Sequence, residues 1–224
     1  YKATRHPMPD ELAMQMPVMK DVLRAMRIPI FECEGWEADD VIGTIGKRCG
    51  GAGWDCVIVT GDRDSLQLID EHVTVKLVSS KLSQSVAVNY DPARFREEYG
   101  FDPIHLIDLK ALMGDSSDNI PGVAGVGPKT ATQLLLDYGT LDGIYAHLDA
   151  IKDKLRAKLE QGRESAYMSY DLATIRCEAP IDFSPEDCRV QQPDNDTLYQ
   201  LFTRLEFTRQ IARYGLHAPQ DTVE

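Results

Sequence analysis

Three glycines in six residues, Gly122, Gly125 and Gly127, run straight into Pro128, Lys129 and a helical pattern over 132–138. Glycines let a backbone approach another group closely, and the unpaired N–H groups of a helix start favour an anion. Pro128 suits the first helical turn, and Lys129 adds a positive charge beside it. The segment Ile120-Pro-Gly-Val-Ala-Gly-Val-Gly-Pro-Lys-Thr-Ala131 therefore reads as a phosphate-gripping hairpin or as a tight helix–helix turn. It is not a Walker A loop, which needs four residues between its first glycine and Gly-Lys-Ser/Thr.

The hairpin sits in the second of two stretches of different character. Before residue 89 the pattern alternates. An apolar run at Ile28–Cys33 and a buried run at Trp54–Thr60 predict strands, with a helix from about Glu37 to Cys49 between them. A short helix at Ser65–Ile69 follows, then strands at Val73–Val78 and Ser85–Val88. Strand alternating with helix predicts a parallel sheet covered by helices. A stripe of Leu12, Met16, Met19, Val22, Leu23 and Met26 at helical spacing reads as a core face. From Asp91 the pattern is helical. Asp91-Pro92 and Asp102-Pro103 mark helix starts, Gly100, Gly114 and Gly139 mark stops, and further helices fall at 141–148, 150–161, 167–175 and 197–204. The expected organisation is an α/β core over 1–88, a helical domain over 89–214 and a linker over 215–224.

Three carboxylate clusters carry the candidate chemistry. Glu37, Asp39 and Asp40 open a helix, where acids also serve the macrodipole. Asp62 and Asp64 follow the Trp54–Thr60 strand, in the place where open α/β sheets gather ligands. Asp115 and Asp118 lie in the polar loop Gly114–Asn119. Each alone could be an ordinary cap or turn. Together they are harder to dismiss, because residues 30–65 carry eight acids against three bases. Oxygen-only ligands suit Mg²⁺ or Mn²⁺ rather than zinc, and a pair of such ions is the usual device for cleaving phosphodiesters.

Composition bounds the rest. The net charge of −12 argues against a nucleic-acid binder working by bulk attraction alone, yet it suits an enzyme that holds divalent cations. Five cysteines without Cys-x-x-Cys spacing read as reduced thiols, with no disulfide framework or zinc site. No apolar run reaches the ~18 residues of a membrane span, and Tyr1–Arg5 does not read as a signal peptide.

Four stretches resemble the 5′ nuclease domain of bacterial DNA polymerase I, within the flap endonuclease superfamily: Glu37-Ala-Asp-Asp-Val-Ile-Gly, Thr60-Gly-Asp-Arg-Asp, Ala111-Leu-Met-Gly-Asp-Ser-Ser-Asp-Asn-Ile-Pro-Gly-Val-Ala-Gly-Val-Gly-Pro-Lys-Thr-Ala131, and Leu205-Glu-Phe. The resemblance implies a PIN-like parallel-sheet core, incomplete at the N-terminus, followed by a helical domain with a helix–three-turn–helix DNA-binding element. It implies two Mg²⁺ (or Mn²⁺) ions, the first served by Glu37, Asp39 and Asp40 and the second by Asp62, Asp64, Asp115 and Asp118. Gly122, Val123, Gly125, Gly127, Lys129 and Thr130 would clamp duplex phosphates, with K⁺ on the hairpin's backbone oxygens. Tyr1-Lys2-Ala3-Thr4-Arg5 is similar to the family's Tyr-Lys-x-x-Arg, which places Lys2 and Arg5 near the scissile phosphate.

The implied function is a structure-specific 5′-3′ exonuclease and flap endonuclease acting on 5′ flaps, nicks and RNA–DNA primer junctions in replication and repair. A polymerase part would follow in the parent protein, in the bacterial cytoplasm and at the nucleoid. The family's Val-Asp-Gly and Phe-Asp aspartates have no counterpart here, so the chain reads as N-terminally truncated. The alternative is therefore a non-catalytic duplex-binding fragment with an incomplete metal site. A PIN-type ribonuclease is a third reading, which the hairpin argues against.

Overall fold

A computed structural model describes residues 2–3, 7–81 and 84–219. The chain forms two compact units, one of residues 1–5 and 33–180, the other of residues 6–32 and 181–224.

The larger unit is built on three strands, β1 (Cys56–Thr60), β2 (Val73–Lys81) and β3 (Gln84–Tyr90), in the order β1-β2-β3. The β1–β2 pair is parallel, with Cys56 opposite Val73 and Thr60 opposite Leu77, and β2–β3 is antiparallel. The helices of this unit are α3 (Ala38–Gly51), α4 (Pro92–Tyr99), α5 (Leu106–Met113), α6 (Pro128–Tyr138), α7 (Leu141–Ala146), α8 (Asp153–Gln161) and α9 (Arg163–Ala173). Two helices of the other unit precede them in the chain, α1 (Asp10–Ala13) and α2 (Gln15–Ala25). One hydrophobic core runs from Ile58, Val73 and Val75 through Phe95 and Leu112 to Leu135, Ile144 and Leu159. Sheet, α5 and hairpin are thereby packed into a single body, and residue 89 marks no gap in it.

The caps follow the residues that favour them. Asp91 accepts from Arg94 N–H at 2.7 Å ahead of Pro92, and α4 stops at Gly100 with φ +83°. After α9 the described residues make no strand, yet residues 173–179 are tied along the unit by side chains. Buried Gln67 donates to Ala173 O at 3.0 Å and accepts from Ile175 N–H at 2.9 Å. Asp40 Oδ1 accepts from Arg176 N–H at 2.8 Å, and buried Thr44 Oγ1 accepts from Ala179 N–H at 2.9 Å. These bonds do for an irregular segment what a backbone ladder does for a strand. A Cβ at Gly43 would lie 2.9 Å from Cys177 Sγ, which explains a glycine inside α3.

The smaller unit packs α2 against α10 (Asn195–Arg204) and α11 (Thr208–Arg213), with Ala25, Leu198, Phe202 and Leu216 buried. Asp194 N–H donates to Ala25 O at 2.8 Å, while the Asp194 side chain caps α10.

Three expectations are corrected. Residues 28–33 form no strand: Pro29 removes a ladder donor, and among the described residues β1 pairs only with β2. The Trp54–Thr60 run is not buried throughout. Val57 and Val59 are 60 % and 63 % exposed, because only the Ile58 face is covered. The methionine stripe is core only at its C-terminal end: Val22 and Met26 pack on the Ala25–Leu198–Phe202 cluster, whereas Leu12 and Met19 are exposed and, with Met16, line an open apolar groove of about 470 Å³ with Leu205 and Phe207. None of the five cysteines forms a disulfide, and no described helix is long and apolar enough to cross a membrane.

Candidate metal centre and hairpin

The site begins where β1 ends. Asp62 N–H donates to Thr60 Oγ1 at 3.0 Å, and Asp62 Oδ1 accepts from Asp64 N–H at 2.9 Å, capping a 3-10 turn over Arg63–Leu68. The Thr-Gly-Asp-Arg-Asp stretch thus fixes two aspartates at the carboxyl end of a parallel strand. Arg63 is held outside them by Tyr99 Oη at 2.7 Å and Glu98 at 3.0 Å.

Asp64 meets α5. Lys110 Nζ donates to Asp64 Oδ1 and, at 2.6 Å, to Asp115 Oδ2. Lys110 is only 7 % exposed on a helix that is otherwise almost wholly apolar. Asp115 Oδ1 accepts from Ser117 N–H at 2.8 Å and from Ser117 Oγ at 2.5 Å. These groups line a cleft of about 580 Å³. An adjoining hollow of about 210 Å³ is lined by Glu37, Asp39, Asp40, Asp118 and again Asp64. All three sequence clusters therefore meet around Asp64.

The carboxylates differ in their surroundings. Burial raises the Asp39 carboxyl above its usual range, and Asp62, Asp64 and Glu37 push the same way against Lys2. Burial likewise raises Asp64, outweighing the pull of Lys110. For Asp115 burial is overcome by bonds from Lys110 and Ser117, and its carboxyl falls to about 2. Burial alone would lower the Lys110 ammonium, but Asp115 and Asp64 outweigh it and the net direction is upward.

Other sequence candidates are placed differently. Asp40 gives both oxygens to backbone, Oδ1 to Arg176 N–H and Oδ2 to Glu37 N–H at 3.3 Å. Lys2 Nζ bonds Glu37, and Lys2 N–H donates to Asp118 O at 2.9 Å. Arg5 lies outside the described residues.

In the hairpin, Gly122 N–H donates to Ser169 Oγ at 2.9 Å and Gly122 O accepts from Ser165 Oγ at 2.6 Å. A Cβ there would fall 2.3 Å from Gly114 N, so Gly122 is a packing glycine at the neck of the loop. Val123 is buried, and its N–H donates to Leu112 O at 2.8 Å. Gly125, Gly127 and Lys129 face outward with Thr130 half-buried, and Lys158 Nζ lies 3.0 Å from Gly125 O.

Sequence reading missed Lys110 and Asp108. The signal was available: two charged residues inside Leu106-Ile-Asp-Leu-Lys-Ala-Leu-Met113, which otherwise reads as buried helix. Asp108, 4 % exposed, accepts from Leu141 N–H at 2.7 Å and pairs with His105 Nδ1 at 3.0 Å, pinning the start of α7 to α5.

Among the described residues no three His, Cys, Asp or Glu side chains already converge on a metal position. The donor chemistry nevertheless fits a hard cation. Every candidate ligand is a carboxylate oxygen, and two ammonium groups, Lys2 and Lys110, are already drawn onto the cluster.

The fold is that of a resolvase-like α/β domain followed by a SAM-like helical domain. Two family models meet end to end, "5′-3′ exonuclease, N-terminal resolvase-like domain" over residues 1–100 and "5′-3′ exonuclease, C-terminal SAM fold" over 101–196. The chain belongs to the 5′-3′ exonuclease family. DNA polymerase I of Caldicellulosiruptor bescii is 47 % identical over 216 residues, which are 96 % of this chain and 25 % of that protein. The chain thus spans about a quarter of the length of the curated relatives it matches. In fold it is similar to the T5 D15 protein co-crystallised with metal ions (TM-score 0.63, 21 % identity, 92 % of this chain and 76 % of that one). It is similar also to the catalytic core of Rad2 in complex with DNA substrate (TM-score 0.61, 19 % identity, 95 % and 72 %).

Proposed function

We propose that this chain is the nuclease part of a structure-specific 5′-3′ exonuclease and flap endonuclease. The observation that carries the reading is the meeting of Asp39, Asp62, Asp64 and Asp115 in one body with the glycine hairpin, in a member of the exonuclease family. Asp39, Asp62, Asp64 and Asp115 would hold two divalent cations, Mg²⁺ or Mn²⁺, with Glu37 and Asp118 at the margin. Bound there, the ions would neutralise the charge that develops on a phosphodiester under attack.

The chain's own residues do the rest. The outward amides of Gly125, Gly127, Lys129 and Thr130, with the Lys129 and Lys158 side chains, grip duplex phosphates and set the distance to the cleft. Because that grip reads backbone rather than base edges, cleavage should show little sequence preference. Lys2, which bonds Glu37, would lend positive charge beside the carboxylates, and the same role is inferred for Arg5 from the sequence motif alone. Gly122 O and Gly125 O already accept from Ser165 and Lys158, so a K⁺ ion would depend on other hairpin oxygens. Flaps, nicks and RNA–DNA primer junctions are the inferred substrates. The relatives' name and length lead us to infer a polymerase part in the parent protein.

A second reading has one observation in its favour. With no three carboxylates converged among the described residues, and Lys110 between Asp64 and Asp115, the chain alone could bind duplex without cutting it. The test is single-turnover cleavage of a 5′-flapped duplex with Mg²⁺ or Mn²⁺, with Asp62→Ala/Asp64→Ala as control. Cleavage lost in the control supports the nuclease. Duplex binding that survives in both proteins without cleavage supports the binding module.

A further inference from the structure

Lys110 is a buried positive charge lining the cleft, which a cation site does not call for. Its stem is buried on α5, and its ammonium bonds Asp64 and Asp115, the two carboxylates that close the cleft on that side. An ammonium bridging two carboxylate oxygens uses the same lone pairs that a divalent ion would use, and carries the same sign of charge. The two cannot share the position. The stem has four rotatable bonds, and the cleft of about 580 Å³ that Lys110 lines gives the head somewhere to go.

We propose that Lys110 is a built-in competitor of the divalent cation. Its ammonium holds Asp64 and Asp115 together in the cation-free chain and moves out into the cleft when a divalent ion takes that pair. The inference rests on the divalent-cation reading above and adds a cost to it: one of the two ions binds against a resident positive charge and is the weaker. The same contact serves the cation-free protein, because without Lys110 two partly buried carboxylates would face each other uncompensated.

Mn²⁺ binding to the 224-residue chain, read from the EPR signal of free Mn²⁺, tests both levels. Lys110→Met should bind the weaker ion at least about tenfold tighter, since a like charge at contact distance is removed at an effective dielectric of about 20. Lys110→Arg, which keeps the charge, should stay near wild type. In EDTA the Lys110→Met protein should melt lower than wild type, and it should gain more in melting temperature from Mn²⁺.

An unchanged affinity in Lys110→Met, or a gain shared by Lys110→Arg, overturns the proposal while leaving the cation site standing. No Mn²⁺ binding by any of the three proteins overturns the cation site itself. Should Lys110→Met fail to fold, wild type still decides, through the ¹³Cε signal of Lys110 under Mg²⁺ titration. A shift on binding supports displacement, and a signal that stays fixed while Mg²⁺ binds refutes it.

Discussion

Asp40 and Asp62 are each one aspartate of a short acidic run, and their neighbours give them different work. Asp40 accepts from the amides of Arg176 and Glu37, so its carboxylate holds backbone. Asp62 caps one turn with Oδ1, a bond that asparagine can keep, and its charge helps raise the Asp39 carboxyl. Asp40→Ala should therefore lower stability by about 2 kcal/mol, the range of a hydrogen bond to a charged group, and change Mn²⁺ affinity less than twofold or so. Asp62→Asn should do the reverse. Urea melts in EDTA beside Mn²⁺ titrations decide, and a stable Asp40→Ala protein that had lost Mn²⁺ would make Asp40 a ligand. Gly122 gives a sharper case. At φ +63° and with Gly114 N where its Cβ would stand, Gly122→Ala should cost about 3 kcal/mol or more by urea denaturation. A loss below about 1 kcal/mol would mean that the neck relaxes. Ser65 points the other way: its hydroxyl is buried without a partner, so Ser65→Ala should leave the melting temperature unchanged or raise it.

At the scale of elements, the segment 173–179 is held by side chains from α3 and from the turn after β1. Gln67→Met should leave Ala173 O and Ile175 N–H without partners, at about 1–3 kcal/mol, and Ile175 should lose amide-exchange protection ahead of the strands. Protection that persists at Ile175 would mean that the remaining ties suffice. A pH dependence belongs here too. Tyr145 of α7 donates to Leu159 O of α8 at 3.0 Å, and burial, with Tyr167, pushes its hydroxyl up to about 12. An unfolded tyrosine ionises near 10 or so, so the stability this group adds is full below that pH and is lost as pH rises through 12. The advantage of wild type over Tyr145→Phe should shrink across that window, and a constant difference would remove the linkage. Elements with local signals were legible: α3, β1 and α6 carry their own periodicity, caps and glycines. The segment 173–179 was not, because its partners lie more than 100 residues away and leave no period. The run at 28–33 and the N-terminal part of the methionine stripe misled for the opposite reason. Both are apolar enough to be core, but whether an apolar face is covered is decided by what packs on it.

For the molecule as a whole, the charge of −12 and the carboxylate cluster make one argument. Asp39 is raised by burial and by Asp62 and Asp64, so part of the folding free energy is spent holding like charges together. The cluster was legible in the sequence as three acidic runs. Its convergence on Asp64 was not, because that depends on β1, α3 and α5 meeting. If the repulsion is kept for the sake of cations, removing it should stabilise the empty protein and abolish the response to metal, the usual trade between stability and function. The variant to use is Asp39→Asn/Asp62→Asn, which leaves the Lys110 contacts intact. In EDTA it should melt at or above wild type. Mg²⁺ at ten times its dissociation constant should stabilise wild type by about 1.4 kcal/mol, a few degrees for a chain of this size. KCl at matched ionic strength should give less, since screening acts on the whole surface while a bound ion acts on the cluster. The variant should respond to Mg²⁺ and KCl alike. An equal Mg²⁺ shift in both proteins would place the cation elsewhere on the acidic surface and remove the main support for a metal centre at the end of β1.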